Sequence, residues 1–511
     1  MPERVKIHRK FTGGLPLRPY KALSTGAAAS RLTIPKRLCI SMQQQSGAPA
    51  MACVTPGERV ERGQLIGVPT ATLGAAVHAS ACGRVHALEQ RPVPTGSRLV
   101  VADCVVIDTD PEPGPASAPG ADHWPGDRAG RLAAIRRAGI VGLGGAAFPT
   151  ADKLGCDRAC ETLILNGAEC EPYISCDDML MRETPDSILA GAAIMLEIAC
   201  ASRCIVAIER DKIRALETMA DAVRRFADER FTMVAIPTIY PAGGERQLVE
   251  MLLGLEVPSG GHPIDIGVVC QNVGTAHALA NFVASGQPLL SRIVTVTGRG
   301  VEAPQNVHAP IGALIGDLLA HCGGLNERAS RLILGGNMMG YSLPTADIPI
   351  TKSTNCVVAL TAEDVRDDTT EWPCIRCGEC AAACPARLLP QELLRAATGR
   401  RFERLTALGL VDCIECGCCD VVCPSHILLT ARFRAAKIEL AEHRAHARLA
   451  DAADERYLRR KDRQLREADA ARHEQDELKA RLAGDEASRR AALSAAVERA
   501  RGRKRSPDEP E

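Results

Sequence analysis

Eight cysteines between Cys374 and Cys423 constrain this 511-residue chain more than any other feature. They read Cys374-x2-Cys377-x2-Cys380-x3-Cys384-Pro385, then Cys413-x2-Cys416-x2-Cys419-x3-Cys423-Pro424. Each run has the spacing with which bacterial two-cluster ferredoxins hold cubane iron–sulfur clusters, the fourth cysteine of a run serving the other cluster. Three thiolates two residues apart lie on one tight loop and can hold three irons of a cubane. The fourth is expected to begin a helix and point at the second cluster. The expected ligand sets are therefore Cys374, Cys377, Cys380 and Cys423 for cluster one, and Cys413, Cys416, Cys419 and Cys384 for cluster two. Cys418 would break the spacing and is left without a metal. A structural zinc site needs one set of four ligands and does not explain an x2-x2-x3-Pro run used twice. Two 4Fe–4S clusters mean that the chain moves single electrons.

The length implies several domains. Lys+Arg and Asp+Glu are equal at 62 each, so no charge surplus points to nucleic acid. The start, MPERVKIHRKFTGG, has no apolar signal core, and no run of about 18 apolar residues spans a bilayer. Abundant thiols beside iron–sulfur ligands point to a reducing compartment, the cytoplasm.

The pattern along the chain predicts a multidomain α/β and α+β protein. Residues 1–47 read as a basic, irregular segment. Over 48–110, "VTPGERVERGQLIG" and "AVHASACGRVHAL" alternate apolar positions between Pro-Gly, Arg-Gly and Cys-Gly turns, as hairpins do. This resembles the barrel-sandwich fold of biotinyl and lipoyl carriers. The turn that would carry a modified lysine reads "VPTATLGA" here, so the module is expected to be unmodified. Residues 111–128 read as a Pro/Gly/Ala linker. Over 129–250, buried strands ("ETLILNGAE", "RCIVAIE") alternate with helices over 186–200 and 212–229, which predicts a Rossmann-like, mostly parallel α/β layer. Residues 251–360 predict a smaller mixed domain, β-grasp-like and SLBB-type, with a strand over 291–301 and a helix over 311–324. The ferredoxin module fills 365–430. Residues 431–511 lack an a/d apolar seam and read as a charged, solvated helix with i,i+4 ion pairs, fraying to disorder near Gly502.

The second informative stretch is "GIVGLGGAAFPTADKL" (139–154). Gly142-x-Gly144-x-x-Ala147 formally fits a dinucleotide fingerprint, but it follows a helix-like segment and runs into Phe148-Pro149 rather than a helix. On pattern alone it is a glycine loop that brings backbone N–H groups close to an anion. Asp177-Asp178 reads as a helix N-cap.

This stretch is followed in order by "LILNGAECEPYISCDDMLMRE", "YPAGGERQLVEMLLG", "VVCQNVGTAHALANF" and the two ferredoxin runs. The ordered set resembles RnfC, the C component of the bacterial Rnf (Rsx) ion-translocating electron-transport complexes. Residues 139–282 are also similar, more distantly, to the flavin-bearing NADH-oxidising subunit of respiratory complex I. The resemblance implies FMN and NADH as cofactor and substrate. It implies that Gly142, Gly144, Gly145 and Lys153 cradle phosphate and that Asn166 and Asn272 hydrogen-bond the flavin. Glu169 and Glu245 would face the nucleotide, and Phe148 would pack on a ring. It further implies membrane-embedded partner subunits that move Na⁺ or H⁺, ferredoxin as a redox partner, and peripheral docking on the cytoplasmic face of the bacterial inner membrane. Electrons would enter at FMN and cross clusters one and two. Leu143 and Ala147 depart from the complex I relative, which has arginine and glycine there. These departures favour an alternative, an iron–sulfur adapter without its own flavin or nucleotide. A diaphorase subunit of a soluble hydrogenase or formate dehydrogenase fits the electron chemistry but not the order of domains.

Overall fold

The computed structural model describes residues 9–71, 73–96, 98–111, 114, 123–365 and 370–502. Two compact units result, one extending to Ala435 and one from Ala436 onward.

In the first unit, two small antiparallel sheets form the barrel sandwich. One joins Arg37–Ser41, Leu99–Thr109, Gly83–Pro94 and Arg59–Val60 in that order; the other joins Ala50–Ala52, Leu65–Pro69 and Val77–His78. The strand Arg37–Ser41 lies in the stretch expected to be irregular. Its Leu38 and Ile40 are fully buried, and Ser30–Arg31 adds a further strand parallel to Gln305–Pro310. The amino-terminal segment is thus built into two sheets. Burial of its few apolar residues outweighs its polar composition. Most of the predicted linker, 112–113 and 115–122, lies outside the described residues, but Trp124 at its end packs edge-on against Phe282 at 6.2 Å.

The parallel sheet has the order Phe231–Ile236, Arg203–Glu209, Thr162–Gly167, Val268–Asn272. Its strands are apolar runs because helices cover both faces. From the strand 162–167 the chain steps outward twice, then returns to that strand's other side. The crevice for a ligand therefore opens at the carboxyl ends of 162–167 and 268–272.

A six-stranded mixed sheet follows, including Ser291–Thr297, Gln305–Pro310 and Cys356–Thr361. Its buried Val294 and Val307, with Ile315 of the following helix, share one core with Ile40, Ile66 and Ile107 of the barrel sandwich. The helix expected over 311–324 is shorter, Ile315–His321, because Gly312 turns the chain at φ 94°. Lys352 ties these modules together. Its fully buried ammonium donates to the carbonyls of Ala76 (2.9 Å) and Gly139 (2.7 Å), while its backbone N–H donates to Gln44 (2.9 Å).

The second unit is helical through Gly502, part of the helix Leu429–Gly502. It carries the expected i,i+4 pairs, such as Glu455–Arg459 at 3.1 Å. Residues 503–511, the expected frayed end, lie outside the described residues. Among the described residues no helix is long and apolar enough to cross a membrane.

Candidate functional site

Asn166 and Asn272 end adjacent strands and pair in register at the crevice. Asn272 caps the helix Val273–Ser285, accepting from the Gly274 N–H at 2.8 Å, and donates to Asp177 at 2.6 Å. Asn166 donates to the Gly243 carbonyl at 2.9 Å and accepts from the Ala168 N–H at 3.0 Å. Both amides are oriented before any ligand arrives.

The glycine loop lies over Asn272. Its ends are pinned by a bridge between Val141 and Pro149 and by the Gly142 N–H donating to Phe148 at 2.8 Å. The Leu143 N–H donates to Thr275 at 2.9 Å, and Arg292 donates to the Leu143 carbonyl at 3.1 Å. Ser46 of the barrel sandwich donates its N–H to Ala147 at 3.0 Å. Among the described residues, the N–H groups of Gly144 and Gly145 have no partner in the chain. A Cβ on Gly144 would sit 3.4 Å from the Asn272 side chain, and one on Gly145, at φ 109°, would meet nothing within 4 Å. Two adjacent amide donors without a partner in the chain, on one glycine turn, fit an anion such as a phosphate. Phe148 follows with 37% of its surface exposed.

Lys153 and Glu245 join across this crevice at 2.5 Å. Burial disfavours the Lys153 ammonium, but the Glu245 charge overcomes that and raises its pKa. Glu245 opens the helix Glu245–Leu253, where the helix dipole favours a carboxylate.

Glu169 is engaged within the chain. Its carboxylate is 3% exposed and accepts from the N–H groups of Asp177 (2.7 Å) and Asp178 (3.2 Å), the first turn of the helix Cys176–Glu183. A helix start leaves donors that need acceptors, and this carboxylate supplies them. The role expected of Asp177-Asp178 as the cap thus falls to Glu169. Asp178 instead pairs with Arg182 at 2.5 Å. Burial and the Glu169 charge push the Asp177 carboxyl up to about 7. Lys21, 7% exposed, holds this turn by donating to the carbonyls of Glu169 (2.6 Å), Glu171 (3.1 Å) and Ile174. No feature of residues 1–47 marks it in the sequence.

The eight cysteines gather as two quartets. Cys374, Cys377, Cys380 and Cys423 surround one small cavity; Cys384, Cys413, Cys416 and Cys419 surround another, with Cys418 beside them. The thiols stand where thiolates would hold iron. The two loops repeat each other in detail. Arg376 and Glu415 take φ 59° and 56°, Gly378 and Gly417 take 86° and 78°, and Arg387 and His426 take 54° and 53°. The Leu388 and Ile427 N–H groups each donate to the fourth cysteine's sulfur at 3.4 Å. The fourth cysteine does not begin a helix. It follows the short helices Glu379–Ala382 and Cys418–Val421, because the next residue is proline, which disfavours helical geometry before it.

The quartets differ in their surroundings. Cys374 and Cys377 are exposed, beside Trp372 (62%) and Ile375 (68%). Cys416 and Cys419 are buried, and the Tyr240 hydroxyl donates to the Cys416 carbonyl at 2.7 Å. Cys418 donates its thiol to the Tyr240 carbonyl at 4.0 Å. Tyr240 lies five residues before Glu245 in the loop that borders the crevice. The motif "YPAGGER" points to the glutamate and leaves the tyrosine's role unmarked.

Four family models match: the RnfC barrel sandwich hybrid domain over residues 9–112, the Nuo51 FMN-binding domain over 135–281, the SLBB domain over 293–342 and the 4Fe–4S dicluster domain over 371–427. These matches bear out the expected FMN and iron–sulfur cofactors and the module order. The C component of the ion-translocating oxidoreductase complex of Pseudomonas aeruginosa is 43% identical over 459 residues, 89% of this chain and 59% of that protein. The protein of the same description in Rhodobacter capsulatus is 39% identical over 446 residues, 85% of this chain and 83% of that protein. The chain thus spans about three-fifths of the Pseudomonas relative and most of the Rhodobacter one.

Proposed function

Because this chain belongs to the RnfC family, the C components of ion-translocating oxidoreductase complexes, we propose that it is the electron-input subunit of such a complex. It would couple NADH, ferredoxin or another low-potential partner to membrane-embedded subunits that move an ion, docking peripherally on the cytoplasmic face of the inner membrane. One observation carries the reading. The loop that bears Glu245 at the crevice also bears Tyr240, whose hydroxyl donates to the carbonyl of Cys416 in one cysteine quartet.

When bound, FMN would take the two electrons of one hydride and release them one at a time to clusters that carry single electrons. The chain's own residues do the positioning. The Gly144 and Gly145 N–H groups and Lys153 hold phosphate, with Gly142 fixing the start of the loop. Asn166 and Asn272 present pre-oriented amides to the ring system, Phe148 covers it, and Glu245 faces the nucleotide. The contacts of Tyr240 with Cys416 and Cys418 support an inner position for the quartet Cys384, Cys413, Cys416 and Cys419 and an outer one for the more exposed quartet.

Reconstituting the chain anaerobically with iron, sulfide and FMN, then adding NADH, tests this. Bleaching of flavin and cluster absorbance is expected, and Lys153→Ala should abolish both flavin retention and bleaching by NADH. The adapter reading draws on Ala147, a buried non-glycine residue held at φ 48° in the loop. Clusters that respond to dithionite but ignore NADH, with no FMN retained, would establish it instead.

A further inference from the structure

A second cavity, of about 320 Å³, is lined by Leu143 of the glycine loop but by none of Gly144, Gly145, Phe148, Lys153, Asn166 or Glu245. Its size is at the lower end for small-molecule sites. Three modules meet there. Arg62 comes from the barrel sandwich, His277 and Asn281 from the helix Val273–Ser285, and Arg31 and His308 from paired strands of the six-stranded sheet.

The charges are unequal. Among the described residues the guanidinium groups of Arg31 and Arg62 have no hydrogen-bond or ion-pair partner. Arg292 adds a third cation, already spent on the carbonyls of Leu143 (3.1 Å), Ile293 (3.3 Å) and Lys352. The one carboxylate in the wall, Asp177, is engaged by Asn272. His277 accepts from Asn281 at 2.8 Å, and its other ring nitrogen meets the Thr184 hydroxyl at 3.3 Å, the pattern of a neutral imidazole. Burial, with His308 nearby, lowers its pKa to about 4. The surplus is therefore two free guanidinium groups, supplied by two modules to one cavity. One guanidinium suffices to clamp a carboxylate. Two from different directions suit a dianion with three oxygens. Leu143, Leu180 and Leu289 give the remaining wall an apolar surface.

We propose that this cavity binds a phosphate monoester with a heterocyclic body, a mononucleotide in size and charge, with Arg31 and Arg62 on the phosphate and Asn281 at the heterocycle's edge. The site is distinct from the flavin crevice, and its existence does not depend on the redox reading. Its occupant touches Leu143, so it abuts the same loop from another side.

The test is calorimetric titration of AMP into the reconstituted full chain held in excess FMN. One equivalent of AMP should bind with FMN present. Arg31→Gln with Arg62→Gln should weaken it by at least about tenfold, leaving circular dichroism and cluster absorbance unchanged. Asn281→Leu, an exposed substitution on a separate element, should weaken it too. Four results would overturn the proposal. These are no heat from AMP, AMP competing with FMN, the double variant binding like the parent, and inorganic phosphate binding as tightly as AMP.

Discussion

The two cysteine quartets share a spacing and a backbone, yet one lies open and the other is enclosed. Local sequence dictates the shared part. Two residues between thiols require a left-handed residue at Arg376 or Glu415 and again at the following glycine, and both loops adopt it. Tertiary packing dictates the difference. Around Cys416, Tyr240 and Cys418 form a buried cluster with Ala383, against which Leu15, Leu17 and Met338 pack. Around Cys374 the neighbours Trp372 and Ile375 face solvent. Burial and hydrogen bonding tune cluster potentials, so equal cradles need not hold equal clusters.

The largest expected effect tests whether the two quartets are separate at all. Cys384→Ser should remove the cluster held by Cys413, Cys416 and Cys419, leaving about half the bound iron and the other cluster's electron paramagnetic resonance signal intact. Cys423→Ser should do the converse. Loss of the Cys374 cluster in the Cys384 variant would sink the crossed ligand sets. Next in size is chemical access. Iron should leave to a chelator in two phases, the fast one from the exposed quartet. A Cys374→Ser protein should lack that phase. Equal release from both would mean that the enclosure at Tyr240 has no consequence. A smaller effect is expected for Tyr240→Phe. It orphans the buried Cys416 carbonyl, costing about 1–3 kcal/mol, and should shift the inner cluster's potential while leaving the outer one alone. A redox titration that moved both potentials together would contradict that.

The same contrast explains what is legible in the sequence. Three cysteines of each quartet lie on one loop and the fourth comes from the other run, so the repeated spacing makes both quartets legible. The strands 162–167 and 203–209 fall within the predicted stretches because a parallel sheet buries long apolar runs. Tertiary roles are not legible. Glu169 caps a helix whose first turn lies eight and nine residues on, a contact set by the Lys21-bound turn between them. Leu38 and Ile40 make a core strand out of a segment whose composition is basic. The glycine loop is identified by its company rather than its fingerprint. Nothing in that fingerprint shows that Thr275 and Arg292 hold Leu143 in place.

The subtlest difference between the quartets should be pH dependence. Glu171 is nearly enclosed. It accepts from the Met338 (2.7 Å) and Met339 (3.0 Å) N–H groups, and Gly336 lies so close that a Cβ there would meet its Cγ at 1.9 Å. Burial pushes its carboxyl above the usual range, against the pull of the Met339 and Met338 N–H groups and Lys21. A raised carboxyl favours its protonated form in the fold. Its contribution to stability is therefore full below the unfolded value and is lost as pH rises through the folded one. Ionisation there also sets a negative charge beside Tyr240, on the side of the inner quartet, where it disfavours an added electron. The inner cluster's potential should thus fall as pH rises from the ordinary carboxylate range, while the outer cluster's stays level. Glu171→Gln, which keeps an acceptor for both N–H groups, should flatten the inner slope. Parallel slopes for the two clusters in potentiometric titrations, or an unchanged slope in the glutamine variant, would show that Glu171 does not distinguish them.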